Sequence, residues 1–169
     1  MKSKRFFLAL AMLTVAFSAF AEGKVVQTPY KEPKVVFEFF LDHPDKIGAA
    51  LFWLRSFFNP LIDPPYGMSP EEMSVKVVLH GTELVTVVTK NYEKYKDAVE
   101  RMRYYASLGV EFKVCGLAAQ DYGYRPEDFQ DFIQIVPSAI TELAHWQNQG
   151  YALIVPQVKD KVVSREAIR

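Results

Sequence analysis

Apolar positions along this chain alternate between short continuous runs and stripes at helical spacing. Val35 to Leu41 is an apolar and aromatic run broken only by Glu38, which predicts a buried strand. Asp42-His43-Pro44 stops it, and proline suits the first turn of a helix. Ile47, Ala50, Leu51, Leu54 and Phe58 then recur at helical spacing. Asn59 to Met73 holds Pro60, Pro64, Pro65, Gly67 and Pro70, which predicts a loop or short turns. A loop of that length in a compact domain points to a functional or interfacial role.

The alternation continues. Val75 to Leu79 predicts a second strand, ended by His80-Gly81, and Leu84 to Val88 a further short one. Asn91 is placed to cap a helix whose stripe is Tyr95, Ala98, Val99, Met102 and Ala106, with Gly109 as its stop. Val110 to Val114 is the next strand, followed by Cys115-Gly116. A short helical piece and a turn lead to Phe129, and Phe132 to Val136 is again a strand. Ser138 is placed to cap a helix running through Gln149, with Gly150 as its stop. Tyr151 to Val155 is the last strand, ended by Pro156.

Strands alternating with helices predict an α/β fold: a three-layer sandwich around a flavodoxin-like, mostly parallel five-stranded sheet. The chain divides into a signal peptide over residues 1–21, a flexible leader over 22–33, one domain over 34–156 and a polar C-terminal tail over 157–169.

Charge bears on where the chain works. Lys2, Lys4 and Arg5 precede an apolar run from Phe6 to Phe17, and Ala19-Phe20-Ala21 supplies the small residues of a cleavage site. The run is short for a membrane span, so the expectation is cleavage after Ala21 and a small soluble product that is periplasmic or secreted. Removing that segment turns a balance of 20 basic and 20 acidic residues into 17 against 20. No basic patch suggests nucleic acid, and no later segment is long and apolar enough to suggest a membrane span.

In an open parallel sheet, ligands bind beyond the carboxyl ends of the strands. The residues there are Asp42 and His43, His80 and Gly81, Cys115 and Gly116, and Pro137 and Ser138. Cys115 is the only cysteine, so it forms no disulfide within its own chain. A helical turn starting after it favours a thiolate, and Gly116 permits close approach of backbone or substrate. Its alternative role is that of a small buried hydrophobe closing a strand. His43 and His80 are candidate acid–base partners of the thiol, and with it a candidate metal set, although no tight ligand spacing supports a metal. His145 falls on the last helix, apart from that edge. Glu71, Glu72, Asp128 and Asp131 read as surface and turn residues. No G-x-G-x-x-G, Walker loop or G-x-S-x-G occurs, so no nucleotide cofactor or serine hydrolase chemistry is indicated.

The segments KVVFEFF, VKVVLHG, LGVEFKVCG and IVPSAITELAHWQNQGYALIVP together resemble the DsrE/DsrF-like family of small sulfur-relay proteins, from Lys34 to Pro156. The resemblance implies a flavodoxin-like domain assembling into a homo-oligomer, a trimer or hexamer. It also implies that Cys115 matches the cysteine that carries a persulfide between proteins, with a sulfur donor or acceptor protein as partner. The Asn common shortly after that cysteine is absent here, where the chain reads Cys115-Gly116-Leu117-Ala118-Ala119. Three functions follow as expectations: a sulfur carrier acting through Cys115 with His80 as proton partner, a non-catalytic binding or assembly module of the same fold, and metal capture by His43, His80 and Cys115. The first carries the expected site: Cys115 and His80 for the chemistry, with Gly81, Gly116, His43 and Ser138 lining it.

Overall fold

The computed structural model describes residues 23–169, and the expected signal peptide over 1–21 lies outside them. Five strands form one sheet: β1 (Lys34–Phe39), β2 (Ser74–Leu79), β3 (Glu111–Cys115), β4 (Ile133–Val136) and β5 (Ala152–Ile154). Four helices connect them: α1 (Ile47–Ile62), α2 (Tyr92–Ser107), α3 (Gly116–Asp121) and α4 (Ala139–Asn148). The strand order is β4-β3-β2-β1-β5, and every pairing is parallel. The expected α/β sandwich with a five-stranded sheet is therefore what forms.

Helix direction explains the layers. α1, α2 and α3 each carry the chain one strand further from β1, whereas α4 carries it back to the far side of β1. Right-handed crossovers in opposite directions lie on opposite faces of the sheet. The packing agrees. Val35, Phe37 and Phe39 of β1 share a core with Leu51, Leu54 and Phe58 of α1, Met102 of α2 and Ala119 of α3. The alternate residue Val36 packs instead with Val78, Cys115 and, from α4, Ala139 and Leu143. Phe37, Phe39, Leu51, Leu54 and Phe112 are fully buried, each contributing about 1.5–3 kcal/mol of apolar transfer.

Four local expectations are corrected. α1 does not end before Pro60 but runs through it to Ile62, because Leu61 continues the buried stripe of Leu54 and Phe58. The loop begins at Asp63, whose N–H returns to the Asn59 carbonyl at 2.9 Å. Leu84 to Val88 is not a strand; Thr82–Val87 is a 3-10 helix. Both edges of β2 are already paired by β1 and β3, so this β-branched run packs into the core instead, with one isolated bridge from Val88 to Phe129. Asn91 does not cap α2, because its amide donates to the Val85 carbonyl at 2.8 Å. Ser138 occupies the N-cap position of α4, yet it is its carbonyl, not its hydroxyl, that bonds the helix, accepting the Glu142 N–H at 3.0 Å.

Gly109 does terminate α2, at φ +91°, a left-handed conformation that side chains disfavour. Residues 23–33 contain no helix or strand, although Tyr30 packs edge-on against Tyr66 at 5.2 Å. In the polar tail, Val158 packs against the main core.

Candidate functional site

The carboxyl edge of the sheet is organised by strand register. Phe39 pairs with Leu79, Leu79 with Val114, and Cys115 with Val136. The His80 N–H donates to the Phe39 carbonyl at 3.1 Å, which extends the β1–β2 ladder past Leu79. One further step along the register therefore sets Phe40, His80, Cys115 and Val136 in one transverse row. Side chains alternate along strands, so this row shares the α4 face with Val36 and Val78.

Cys115 ends β3 and stands at the N-cap position of α3. Its residue is 6% exposed, and its side chain packs on Val36, Val78, Ala139 and Leu143. The connections that leave β3 and β4 run to opposite faces, so the thiol sits where neighbouring loops part, the position at which this fold class binds ligands. Gly116 lies tight against β4: a methyl group on its Cα would sit 2.9 Å from the Val136 carbonyl oxygen.

His80 is half-buried. Its Nε2 is 2.9 Å from Glu38 Oε1, and its ring stacks on Phe40 at 4.7 Å between centroids. Glu38 is the charge that interrupts the first apolar run. A lone carboxylate in such a strand was the legible signal, but its partner lies 42 residues away.

Gly81 is buried beneath the backbone of Leu41 and the Glu83 carboxylate, with no space for a side chain. Glu83 is a second residue missed in the sequence. It is fully buried, and its carboxylate accepts the N–H groups of Leu41 (2.8 Å), His80 (2.9 Å) and Gly81 (2.9 Å). Burial pushes its pKa up, and the three backbone bonds oppose that rise. Glu83 thus fixes the loop backbone that presents His80. Ser138 is half-buried at the start of α4, next to Ala139, which packs on Cys115.

His43 stands apart. It caps the 3-10 turn Pro44–Lys46, its Nδ1 accepting the Asp45 N–H at 3.2 Å on the protein surface. Among the described residues no group of three or more His, Cys, Asp or Glu side chains is arranged to hold a metal ion. His43, His80 and Cys115 are consequently not assembled as the metal reading requires. His145 is exposed on α4.

Toward the other end of the same face lies a polar cluster. Lys76 and Lys113, each nearly buried, share the Glu111 carboxylate. Lys113 also reaches Gln134 at 2.6 Å and Glu142 of α4 at 3.5 Å. The Trp146 indole donates to Glu142 at 2.7 Å, and Lys76 lies over its ring. These charges pin α4 to the sheet. Lone lysines in VKVVL and EFKVC, at alternate positions of apolar strands, were their only trace in the sequence.

A cleft of about 250 Å³ opens beside Glu38 and Phe40, bounded by Val155 and Pro156. A larger one, about 440 Å³, lies between the starts of α1 and α2 and includes none of the expected site residues. No helix among the described residues is long and apolar enough to cross a membrane.

The family model described as the DsrE/DsrF-like family matches residues 34–156, the whole span from β1 to the end of β5. The chain belongs to the DsrE/DsrF-like family. No curated protein matches it. A solved structure of a protein of unknown function from Methanobacterium thermoautotrophicum is similar in fold, with a TM-score of 0.58 at 18% sequence identity. That similarity covers 73% of this chain and 99% of the other. At that identity it speaks for the shared fold alone, so the DsrE/DsrF-like assignment rests on the family match.

Proposed function

We propose that this DsrE/DsrF-like protein is a sulfur carrier in which Cys115 holds a persulfide. Family membership supports a sulfur-relay-type role. The observation that carries the assignment to Cys115 is its position in the last row of the sheet, beside His80, where neighbouring connections part to opposite faces. The Cys115 thiolate attacks a sulfane sulfur of the donor. A new S–S bond forms to Cys115, the donor's bond to that sulfur breaks, and the donor leaves with the electron pair. With thiosulfate as donor the leaving group is sulfite, and no external oxidant is needed.

The test is intact mass after incubation with thiosulfate. The wild-type protein gains the mass of one sulfur atom, which a reductant removes, and Cys115→Ser gains nothing. A wild-type protein that gains nothing refutes the carrier role.

The second reading, an assembly or binding module without sulfur chemistry, is favoured by one observation: the thiol is buried against Val36, Val78, Ala139 and Leu143. A thiol that iodoacetamide labels only after unfolding would establish it.

The same proposal has the chain exported and cleaved after Ala21, on the motif formed by Lys2, Lys4, Arg5, the apolar run and Ala19-Phe20-Ala21. N-terminal sequencing of the processed protein is then expected to begin at Glu22. Recovery of the full chain with Met1 to Ala21 attached in a soluble cytoplasmic fraction would refute it.

A further inference from the structure

We infer that Glu38 is a positioning residue for the thiol chemistry, acting through His80, and this inference rests on the carrier role of Cys115. Glu38 interrupts an otherwise apolar strand and is largely buried, as is His80, with side-chain exposures of 20% and 13%. A carboxylate in that setting needs a partner. Its partner is the His80 Nε2 at 2.9 Å. A carboxylate accepts, so Nε2 carries the proton, and Nδ1 is the nitrogen left to exchange a proton with another group. The stacked Phe40 ring and the Glu83 carboxylate, bonded to the His80 backbone, hold the residue from two further sides.

The register decides which group that is. His80 and Cys115 fall in the same transverse row, on adjacent strands and on the same face of the sheet. Glu38 approaches from β1 on one side of His80, and β3 carries Cys115 on the other. Carboxylate, imidazole and thiol are thus presented in strand order. The remaining charges on this face are committed elsewhere: Glu142 to Lys113 and Trp146, and Glu111 to Lys76 and Lys113.

The step balances without a further reactant. The His80 Nδ1 takes the Cys115 thiol proton, and the thiolate attacks the sulfane sulfur. The donor leaves with the electron pair of its broken bond, and the imidazolium proton is available to that leaving group. Glu38 touches neither sulfur; it fixes the tautomer and stabilises the imidazolium.

The experiment reads Cys115 alkylation by iodoacetamide across a pH series, together with sulfur uptake from thiosulfate. It compares wild type, Glu38→Gln, His80→Gln and the double variant, all as the processed chain. The expected result is a wild-type labelling midpoint below the free-thiol value of about 8.5. In Glu38→Gln and His80→Gln the midpoint rises toward that value and labelling at neutral pH slows about tenfold. The double variant is no slower than either single one. Sulfur uptake by wild type with an unchanged labelling profile in Glu38→Gln overturns the inference and leaves the carrier role standing. No sulfur uptake by wild type overturns the carrier role itself.

A second measurement does not require the variants at Glu38 to fold. The His80 imidazole is titrated by NMR in wild type and in Cys115→Ser. Coupling predicts two different curves, and coincident curves overturn the inference.

Discussion

The carboxylate of Glu83 accepts the backbone N–H of Leu41 at 2.8 Å, across 42 residues of chain. The same group accepts the N–H of His80 and of Gly81, so one buried side chain ties the exits of β1 and β2 together. Gly81 follows from this contact, because any side chain there would overlap the Leu41 backbone and the carboxylate itself.

Replacing Glu83 by Ala takes the acceptor from the buried N–H groups of Leu41 and Gly81, while the His80 N–H keeps the Phe39 carbonyl. The expected loss is about 3 kcal/mol in urea unfolding, and Glu83→Gln, which keeps one acceptor oxygen, loses less. The pH dependence has a definite sign. Burial raises the folded pKa above the ordinary 4.5, so the folded state binds the proton more tightly than the unfolded chain. The contribution of Glu83 is therefore greatest below that ordinary value and falls as pH rises through the raised one. Glu83→Gln removes this slope; an identical slope in the variant would refute the assignment.

Glu111 behaves oppositely. Burial pushes its pKa up, but the hydrogen bonds from Lys76 and Lys113 outweigh it and the net shift is downward from 4.5. Its contribution is present above that ordinary value and is lost as pH falls through the lowered one. Lys113→Met removes one of its two partners, along with a bond to Gln134 and the tie to Glu142. The expected cost is about 3 kcal/mol, because a nearly buried cluster is broken from one side. Urea unfolding at neutral and acidic pH should show both the loss and a flatter acid-side slope.

Two glycines separate close packing from helix propensity. Gly116→Ala forces a methyl group against the Val136 carbonyl, so a cost of about 1–3 kcal/mol is expected, with altered alkylation of Cys115. Gly48→Ala, inside α1, meets only Arg101 at an ordinary 3.7 Å and should stabilise by about 0.5–1 kcal/mol. Equal effects at the two sites in thermal unfolding would contradict the packing described for β4.

Assembly is expected to be a trimer or hexamer, as the family resemblance implies. Phe40, Phe52, Tyr104 and Ile140 each expose more than half of their surface, an apolar load suited to burial between subunits. Light scattering of the processed protein at micromolar concentration tests this, and a monomer would count decisively against it.

Much of the candidate site was readable from the strand ends alone. His80, Gly81, Gly116 and Ser138 do follow strands, Cys115 is the last residue of one, and His43 does follow β1. What strand ends do not convey is which of these residues face one another. His43 turned to Asp45 on the surface, whereas His80 turned to Glu38. Glu83, just before a run read as a strand, gave no local sign that its carboxylate closes the loop beneath His80.

Periodicity along the chain determined the elements, because the alternation of a strand and the 3.6-residue turn of a helix are set by local backbone geometry. Ile47, Ala50, Leu51, Leu54 and Phe58 are all buried on α1, as their spacing required. Tertiary structure alone decided the strand order, the face on which α4 lies and the conformation of Leu84 to Val88. Each depends on which edges and faces remain unpaired once distant segments have met. With β1 and β3 on either side of β2, no edge of β2 was open to the Leu84–Val88 run that follows it. With α4 returning across the sheet, the alternate residues Val36, Val78 and Cys115 gained a core of their own. The Glu38–His80 pair arose in the same way, from parallel register joining residues 42 positions apart.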